Sequence, residues 1–276
     1  MTIFVVIVVY NKDIENSSVC MRLREKENIK VLVVDNSDIE NHNEEYCRQN
    51  KIDYLSMGGN KGLSKAYNTA VDYCHNADAI ILLDDDTDVP DEYFSKLGQA
   101  LVDHSDTDIF APIIKGQNGV IYSPNNYCFL KNQILSSPLQ QIKQERFNAI
   151  SSCLAIRTRV FENYRYNEKL FVDEVDHCFC REQRDRHRKF EIIDVVINQN
   201  FHQREAKVVP EKAWKREKIR ITDIFRHARL MGRKIYIILA FVKGCGLGLQ
   251  IGKISRSPIV AVKAIGLSCM LVFFDR

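Results

Sequence analysis

Short apolar runs alternate with segments of helical spacing along the first hundred residues. The apolar runs lie at 3–9, 29–34 and 79–83, with a weaker one at 52–56. Segments with the length and periodicity of helices lie at 63–74 and 91–104. Continuous apolar strands that alternate with helices are typical of a parallel sheet covered on both faces. This part of the chain therefore predicts an α/β fold.

The middle of the chain is less regular. Residues 108–130 predict short strands and turns, with a hairpin-type turn at 117–119. We expect a strand at 148–157, a helix at 173–187 and a last strand at 190–197. The whole pattern predicts a mixed, mainly parallel sheet followed by a helical extension.

Two apolar stretches close the sequence. Residues 235–242 are followed by Lys243 and a glycine-rich segment, and 259–274 contain Lys263. Since a spanning helix needs about 20 consecutive, mainly apolar residues, we expect neither stretch to cross a bilayer. Helices that lie on an anionic membrane surface fit better, and packing onto the rest of the chain is the alternative. The apolar start lacks a basic region and a cleavage site, so we expect no signal peptide.

Composition and charge add a division into two parts. The chain has 276 residues, of which 45% are hydrophobic and 27% charged, which excludes disordered and collagen-like classes. Residues 1–202 carry 23 Lys+Arg and 31 Asp+Glu, net −8, whereas 203–276 carry 16 and 5, net +11, which sum to +3. We therefore expect a catalytic or binding domain at 1–205 and a basic, amphipathic helical tail at 206–276. The nine scattered cysteines indicate reduced thiols, many of them buried.

Polar clusters follow three of the predicted strands. They are Tyr10-Asn11, Asp35-Asn36-Ser37 and Asp84-Asp85-Asp86. Ligands of parallel α/β sheets bind beyond the carboxyl ends of the strands, so these clusters mark a candidate site.

The three adjacent aspartates are the sharpest of these features. Because side chains alternate along a strand, Asp84 and Asp86 face the same way and Asp85 faces the other way. Such a D-x-D pair is able to hold one Mg²⁺ or Mn²⁺, which would relieve the repulsion between the carboxylates. A solvated acidic turn is the alternative reading.

Three further groups carry candidate chemistry. The loop 58–62 precedes a helix and lets backbone N–H groups approach a phosphate or a sugar. Asp173 and Asp176 share a face of a predicted helix, where a carboxylate could act as a general base or simply favour the helix dipole. His202, after the last strand, would serve as a metal ligand only together with the D-x-D pair.

In this order, the motifs resemble those of family 2 inverting glycosyltransferases of the GT-A fold, in the branch with bacterial rhamnosyl- and galactofuranosyltransferases. The likeness covers about residues 3–205, with a basic helical tail in many members. The motifs are Tyr10-Asn11, 33–37, 60–68, 83–90, 171–176 and His202.

The resemblance implies a role for each position. Tyr10, Asn11 and Asp35 would hold the nucleotide base and ribose, and Asn60, Gly62 and Asp85 would contact the donor. Asp84, Asp86 and His202 would hold the metal, and Asp176 would be the catalytic base. Ser151-Ser152 would lie near the acceptor. Many relatives have Glu-Asp where this chain has Val175-Asp176, so Asp173 and Glu174 stay candidates for the base.

The implied function is metal-dependent transfer of a sugar from a UDP- or dTDP-linked donor. The acceptor would be a hydroxyl of a lipid-linked saccharide in bacterial surface polysaccharide synthesis. The enzyme would be peripheral on the cytoplasmic face of the cell membrane, would bind no nucleic acid, and could form homo-oligomers. The processive Q-x-x-R-W motif is absent from the sequence, whose only tryptophan is Trp214, so we expect one or few sugars per acceptor.

Three other readings stay open. An inactive family member could act as a membrane scaffold, although the presence of Asp84, Asp86 and Asp176 argues against it. A D-x-D phosphatase would require Thr where Asp88 stands, and a sugar nucleotidyltransferase would require a glycine-rich loop in place of residues 10–13.

Overall fold

The computed structural model describes residues 1–23, 26, 28–138, 140–199 and 209–274. Within them, the strands are β1 Ile3–Val9, β2 Ile29–Asp35, β3 Asp53–Ser56, β4 Ala79–Leu83, β5 Ile109–Gly116, β6 Ile121–Asn126, β7 Gln133–Leu135, β8 Phe147–Asn148, β9 Leu154–Arg157 and β10 Phe190–Gln199. The helices are α1 Ser18–Leu23, α2 Asn43–Gln49, α3 Leu63–Tyr73, α4 Asp91–Asp103, α5 Val175–Asp185, α6 Pro210–Leu230, α7 Lys234–Ile254 and α8 Pro258–Phe273.

One mixed sheet organises the first 199 residues. Its order is β3-β2-β1-β4-β9-β5-β6-β7, with β10 beside β5 and β8 beside β6. The β3-β2-β1-β4 half is parallel, β9 runs antiparallel to both β4 and β5, and β10 runs parallel to β5. This confirms the predicted α/β fold with a mixed, mainly parallel sheet.

The sheet has a hydrophobic core on each face. Alternate residues of β1 go to opposite layers: Val6 packs with α3, whereas Val5 and Ile7 pack with α4 and β2. All three side chains are fully buried. Because both faces are covered, the strands read as continuous apolar runs, and β1 and β4 begin and end where the sequence predicts.

The strand predicted at 148–157 is wrong as a single element. Residues 147–148 form β8, which pairs with β6, and residues 154–157 form β9, which pairs with β4 and β5. Between them Cys153 has a φ of 59°, which an extended strand does not allow. One apolar run is thus divided between two sets of partner strands.

Three helices form the C-terminal tail, and α7 differs from the prediction. It continues for 21 residues through Lys243 and the glycines, where we expected an apolar stretch to end. Gly244, Gly248 and Gly252 lie one turn apart, and a Cβ added at each would lie 2.5 to 2.7 Å from Ser268, Ala264 or Ala261 of α8. The close approach of α8 therefore offsets the intrinsic cost of glycine in a helix.

The three tail helices differ in which side chains they bury. Helix α6 buries one apolar face, including Ile221 and Phe225, and carries the basic residues on the other. Helices α7 and α8 bury small residues and expose large apolar ones. The exposed ones include Ile235, Ile238, Val242, Leu249, Ile254, Ile259, Val262, Met270 and Phe273. By length and composition, α7 is the one helix among the described residues that could cross a membrane.

Candidate active site

The carboxyl ends of β1 and β2 are joined by hydrogen bonds between the residues that follow them. The N–H of Asn36 donates to the carbonyl of Val9 over 2.9 Å, and the N–H of Asn11 donates to the Ser37 hydroxyl over 2.8 Å. Asn11 has a φ of 51°, and its side-chain oxygen accepts from the N–H of Asp38 over 2.9 Å. Asn11 therefore shapes the rim of the site, with its amide oxygen engaged by the chain itself.

Asp35 lies in the floor of this region. It is 4% exposed, and its carboxylate accepts hydrogen bonds from the side-chain amides of Asn41 and Asn43, at 2.9 and 2.8 Å, and from Tyr54 at 3.2 Å. Burial would raise the pKa of Asp35, but the hydrogen bonds from Ser37, Asn43 and Asn41 outweigh it and lower the pKa. Asp35 is thus a fixed negative acceptor at the end of β2.

Tyr10 and Asn60 stand on the two sides of Asp38. Tyr10 is half exposed and donates its hydroxyl to Asp38 over 3.0 Å, while the N–H of Asn60 donates to Asp38 over 2.9 Å. The Asn60 side-chain oxygen accepts from the amide of Asn36 and from the N–H of Gly62, both at 3.1 Å. The strand end and the loop before α3 therefore form one continuous rim.

Gly62 is required where it stands. Its φ is 90°, and a Cβ would lie 2.7 Å from the Phe171 ring and 2.9 Å from the Phe171 carbonyl oxygen. The loop before α3 thus packs directly on the segment that leads into α5.

The three aspartates after β4 differ in environment. Asp84 is partly buried and accepts a hydrogen bond from Gln199 over 2.8 Å. Burial raises its pKa, and the neighbouring charges of Asp86 and Asp85 raise it further, against hydrogen bonds from Gln199 and Ser152. Asp85 pairs with Lys12 at 2.8 Å, and Asp86 lies 3.8 Å from the same ammonium. A cavity of about 560 Å³ opens beside Lys12, Asp85 and Asp86.

The charge balance here fits a divalent cation. Asp85 and Asp86 share the Lys12 ammonium. Burial is the main cause of the raised pKa of Asp84, and the charges of Asp86 and Asp85 add to it. Carboxylate oxygens are the ligands that Mg²⁺ and Mn²⁺ prefer. Within the described ranges, no group of three or more His, Cys, Asp or Glu side chains is arranged so that it could hold a metal ion. His202, the predicted third ligand, lies outside the described residues.

The carboxylates before and within α5 are engaged unequally. Asp173 forms a two-pronged ion pair with Arg216, with one N–O distance of 2.9 Å. Glu174 is buried and contacts His177, His227 and Lys243. Asp176 is partly exposed and accepts a hydrogen bond from the N–H of its neighbour His177, 2.8 Å away. Of the three, Asp176 has the carboxylate that the described residues engage least.

Tyr67 of α3 connects the aspartates after β4 with α5. Burial raises the pKa of Tyr67, and the charges of Asp84 and Asp176 raise it further, so both carboxylates lie within electrostatic reach of one phenol. Its hydroxyl is hydrogen-bonded to Ser151, one of the two serines expected near the acceptor. Ser152 lies 3.3 Å from Thr87. Asp84, Asp176 and the two serines therefore lie near the same end of the sheet.

This arrangement agrees with a match at the level of sequence families. Residues 4–165 match the model of glycosyl transferase family 2. The chain belongs to this family. The matched region contains every donor-side candidate, from Tyr10 to Asp86, and ends before α5.

Two curated proteins are similar in sequence to this chain. It is 28% identical over 185 residues to dTDP-rhamnosyl transferase RfbF of Shigella flexneri, over 64% of this chain and 62% of the relative. It is 25% identical over 185 residues to the low-salt glycan biosynthesis hexosyltransferase Agl10 of Haloferax volcanii, over 62% and 60%. Each match thus spans less than two thirds of the curated relative.

Solved structures share its fold. TarS 1–349 of S. aureus in complex with UDP gives a TM-score of 0.56 at 16% identity, covering 99% of this chain and 90% of that one. The mannosyltransferase PcManGT of Pyrobaculum calidifontis, with GDP-Man and Mn²⁺, gives 0.55 at 13%, covering 97% and 75%. GalNAc-T7 with UDP, GalNAc and Mn²⁺ gives 0.57 at 16%, covering 72% and 44%. At such identities the likeness shows the fold alone.

Sequence reasoning missed several residues of the candidate site. Tyr67, Gln199, Lys12 and Arg216 contact the predicted carboxylates or lie within electrostatic reach of them. Only Lys12 had a signal, because it follows the polar end of β1. The others belong to elements distant in sequence, and tertiary packing alone brings them to the site.

Proposed function

We propose that this protein transfers a sugar from a nucleoside-diphosphate sugar to an acceptor hydroxyl, with inversion at the anomeric carbon. The observation that carries the proposal is that the charges of Asp84 and Asp176 both act on the buried phenol of Tyr67. This supports a common reaction space for a candidate metal ligand and the candidate base. Asp35 and the Asn60 rim lie beside it at the ends of β1 and β2.

The donor would lie along the carboxyl ends of β1, β2 and β4. Asp35, held ionised by its hydrogen bonds, would accept from the base or ribose, with Tyr10 and Asn11 at the rim. Asn60 and Gly62 would line the sugar side. Lys12, beside Asp85 and Asp86, is a cation in reach of the diphosphate.

Asp84 and Asp86 would hold Mn²⁺ or Mg²⁺, with His202 as an additional ligand. When bound, such an ion neutralises the negative charge that develops on the diphosphate leaving group. Lys12 also offers positive charge to that group. The protein's own part is to hold the carboxylates together at the end of a buried strand.

Asp176 would act as the general base. It accepts the proton of the acceptor hydroxyl while the oxygen forms a bond to the anomeric carbon and the bond to the diphosphate oxygen breaks. The products are the glycosylated acceptor and the nucleoside diphosphate. Asp173 is the weaker candidate because Arg216 binds both of its oxygens.

We propose the donor and the acceptor as chemical classes, on the basis of similarity to curated proteins. The likeness to a dTDP-rhamnosyl transferase favours a dTDP-linked deoxyhexose, with UDP-linked hexoses as the next choice. A lipid-linked saccharide of a surface polysaccharide is the acceptor we propose.

The exposed apolar faces of α7 and α8 favour binding of the enzyme to a membrane surface. Ile238 of α7 and Val262 of α8 are 59% and 68% exposed, and the flanking segments are basic, which suits the anionic inner face of a cell membrane. Lys243, near the middle of α7, donates to Glu174 over 2.8 Å and to the Phe129 carbonyl over 3.0 Å. A spanning α7 would have to break these contacts, so we propose that it lies in the plane of the membrane.

The test is release of nucleoside diphosphate by purified protein with Mn²⁺ or Mg²⁺. The donors are dTDP-, UDP- and GDP-sugars, with and without a lipid-linked acceptor. Asp86→Ala should lower turnover at least about 100-fold, through loss of electrostatic stabilisation of the leaving group. Asp91→Asn is the matched control, since it removes a nearby surface charge that pairs with Lys26.

The outcomes separate the candidate functions. Metal-dependent release from one donor, lost in Asp86→Ala and kept in Asp91→Asn, supports the proposal and names the donor. Near-normal turnover by Asp86→Ala would contradict the metal assignment. A folded protein that releases nothing and binds no nucleoside diphosphate would favour the inactive scaffold.

A further inference from the structure

The segment from Phe171 to Asp176 carries the candidate base, and residues of the tail determine its shape. Three consecutive backbone N–H groups, of Phe171, Val172 and Asp173, donate to the carboxylate of Asp223 at 2.8 to 3.1 Å. Asp223 belongs to α6 and is fully buried. An N–H group buried without an acceptor costs about 1–3 kcal/mol, so the turn depends on this carboxylate.

Glu174 holds the next position of the segment in an unusual backbone conformation. Its φ is 62°, in the left-handed region that costs a non-glycine residue about 1–2 kcal/mol. Its buried carboxylate accepts from Lys243 of α7 over 2.8 Å, from His227 of α6 over 2.9 Å and from His177 over 3.1 Å. Two tail helices thus hold Glu174 directly before α5.

These contacts determine the charges in the cluster. Burial would raise the pKa of Glu174, but His177, Lys243 and the hydrogen bonds lower it well below its usual value. Burial lowers the pKa of His227, which therefore donates to Glu174 as a neutral ring. Burial would lower the pKa of His177, but Asp176 and Glu174 raise it, so His177 and the Lys243 ammonium both supply positive charge to this carboxylate.

The same segment also reaches the donor side. The Phe171 carbonyl accepts a hydrogen bond from the N–H of Leu63. The segment also packs so closely on Gly62 that a Cβ at that position would clash with Phe171. Asp173 lies in the chain between Phe171 and Asp176, and Arg216 of α6 binds its carboxylate. The tail, the loop before α3 and the candidate base are therefore connected through six consecutive residues.

We infer that the tail helices α6 and α7 take part in catalysis, since Arg216, Asp223, His227 and Lys243 are positioning residues for Asp176. The inference rests on the proposed function, because it assumes that Asp176 is the base. The tail would then determine the turnover rate as well as the proposed position at the membrane surface. Neutralising one of its charges should lower kcat and leave nucleotide binding intact.

Two pairs of variants test this, each measured in detergent solution so that membrane binding does not enter. Lys243→Met removes the charge that binds Glu174, and Lys253→Met removes a charge from an exposed position of the same helix. Arg216→Met removes the partner of Asp173, and Lys215→Met removes the neighbouring charge, which is 76% exposed. Arg216 is itself 39% exposed, so its variant is the safer one for folding.

Lys243→Met and Arg216→Met should each lower kcat about 10- to 100-fold, the loss expected when a reacting group is displaced by about 1 Å. The Kd for the nucleoside diphosphate, measured by calorimetry with Mn²⁺, should stay within about twofold of the wild-type value, because the residues that follow β1, β2 and β4 are unchanged. Lys243→Arg should recover most of kcat, since it restores the charge. Both controls should behave as the wild type does.

Three results would overturn the inference or its basis. If Lys243→Met and Arg216→Met keep the kcat of their controls while Asp176→Asn is inactive, the positioning role is wrong and the proposed function stands. If both variants lose kcat and nucleotide affinity in parallel, their role is merely structural. If Asp176→Asn itself turns over normally, the base assignment of the proposed function fails.

Discussion

The central strands and the last two helices use large apolar side chains in opposite ways. In β1, Val5, Val6 and Ile7 are fully buried. In α7 and α8, Ile238 and Val262 are more than half exposed, while glycine, alanine and serine fill the helix interface. The strands are built to exclude water from a protein core, whereas the helices present an apolar surface outward. Such a surface matches a hydrocarbon environment.

An aspartate should strongly destabilise the fold when it replaces a strand residue and hardly affect stability when it replaces an exposed residue of α8. This difference in the free energy of unfolding is the largest effect we expect. Val6→Asp buries a carboxylate in the sheet and should destabilise the fold by more than about 4 kcal/mol. Val262→Asp, at a site 68% exposed, should change the free energy of unfolding by less than about 0.5 kcal/mol. It should instead weaken co-sedimentation with anionic phospholipid vesicles. Denaturant unfolding and vesicle co-sedimentation of both variants are the measurements.

The vesicle result also identifies what covers the apolar surface. Reduced vesicle binding by Val262→Asp supports the membrane. Unchanged vesicle binding, together with a shift from dimer to monomer in light scattering, would assign the surface to a second copy of the chain.

Adding a methyl group at each of two glycines should distinguish the face of α7 that packs on α8 from its exposed face. At Gly248 the added Cβ would lie 2.6 Å from the Cβ of Ala264, so Gly248→Ala should cost about 1–3 kcal/mol through overpacking. At Gly246 no heavy atom lies within 4 Å, and Gly246→Ala should stabilise α7 by about 0.5–1 kcal/mol. Thermal unfolding in detergent measures both. Equal effects at the two positions would mean that α7 and α8 do not pack in this way.

The smallest effect concerns acid and the floor of the donor site. Hydrogen bonds hold the pKa of Asp35 below its value in the unfolded chain, so its ionised form stabilises the fold above the unfolded pKa of about 4. This contribution is lost as the pH falls through the folded pKa. The difference in the free energy of unfolding between wild type and Asp35→Asn should therefore narrow between pH 6 and pH 3. A constant difference would mean that Asp35 does not titrate between these limits.

Hydrophobic periodicity correctly predicted those elements that depend only on residues close together in the sequence. The buried strands at 3–9 and 79–83 and the aspartates that follow β4 were predicted correctly, because periodicity and strand ends are properties of the sequence itself. The break inside 148–157 could not be predicted, since it depends on which strands β8 and β9 pair with. The continuity of α7 depends in the same way on the small residues that α8 presents to its glycines.

The site shows the same limit. The resemblance predicted that Asp84, Asp86 and Asp176 belong to one site, and Asp84 and Asp176 both lie within electrostatic reach of Tyr67. The engagement of Asp173 by Arg216 and of Glu174 by Lys243 joins residues more than 40 positions apart. No periodicity links such residues. The roles of His202 and of the boundary at 205 stay predictions, because residues 200–208 lie outside the described ranges.

The carboxylate of Asp223 has a consequence for how such a protein evolves. It accepts three backbone N–H groups of residues 171–173, and backbone N–H groups are present whatever the side chains of that segment are. The side chain of Val172 could therefore change in a lineage while the segment still depended on one acid in the tail. Exchange of this tail for an unrelated one would remove that acceptor, so recombination should carry the two parts together as a single inherited unit.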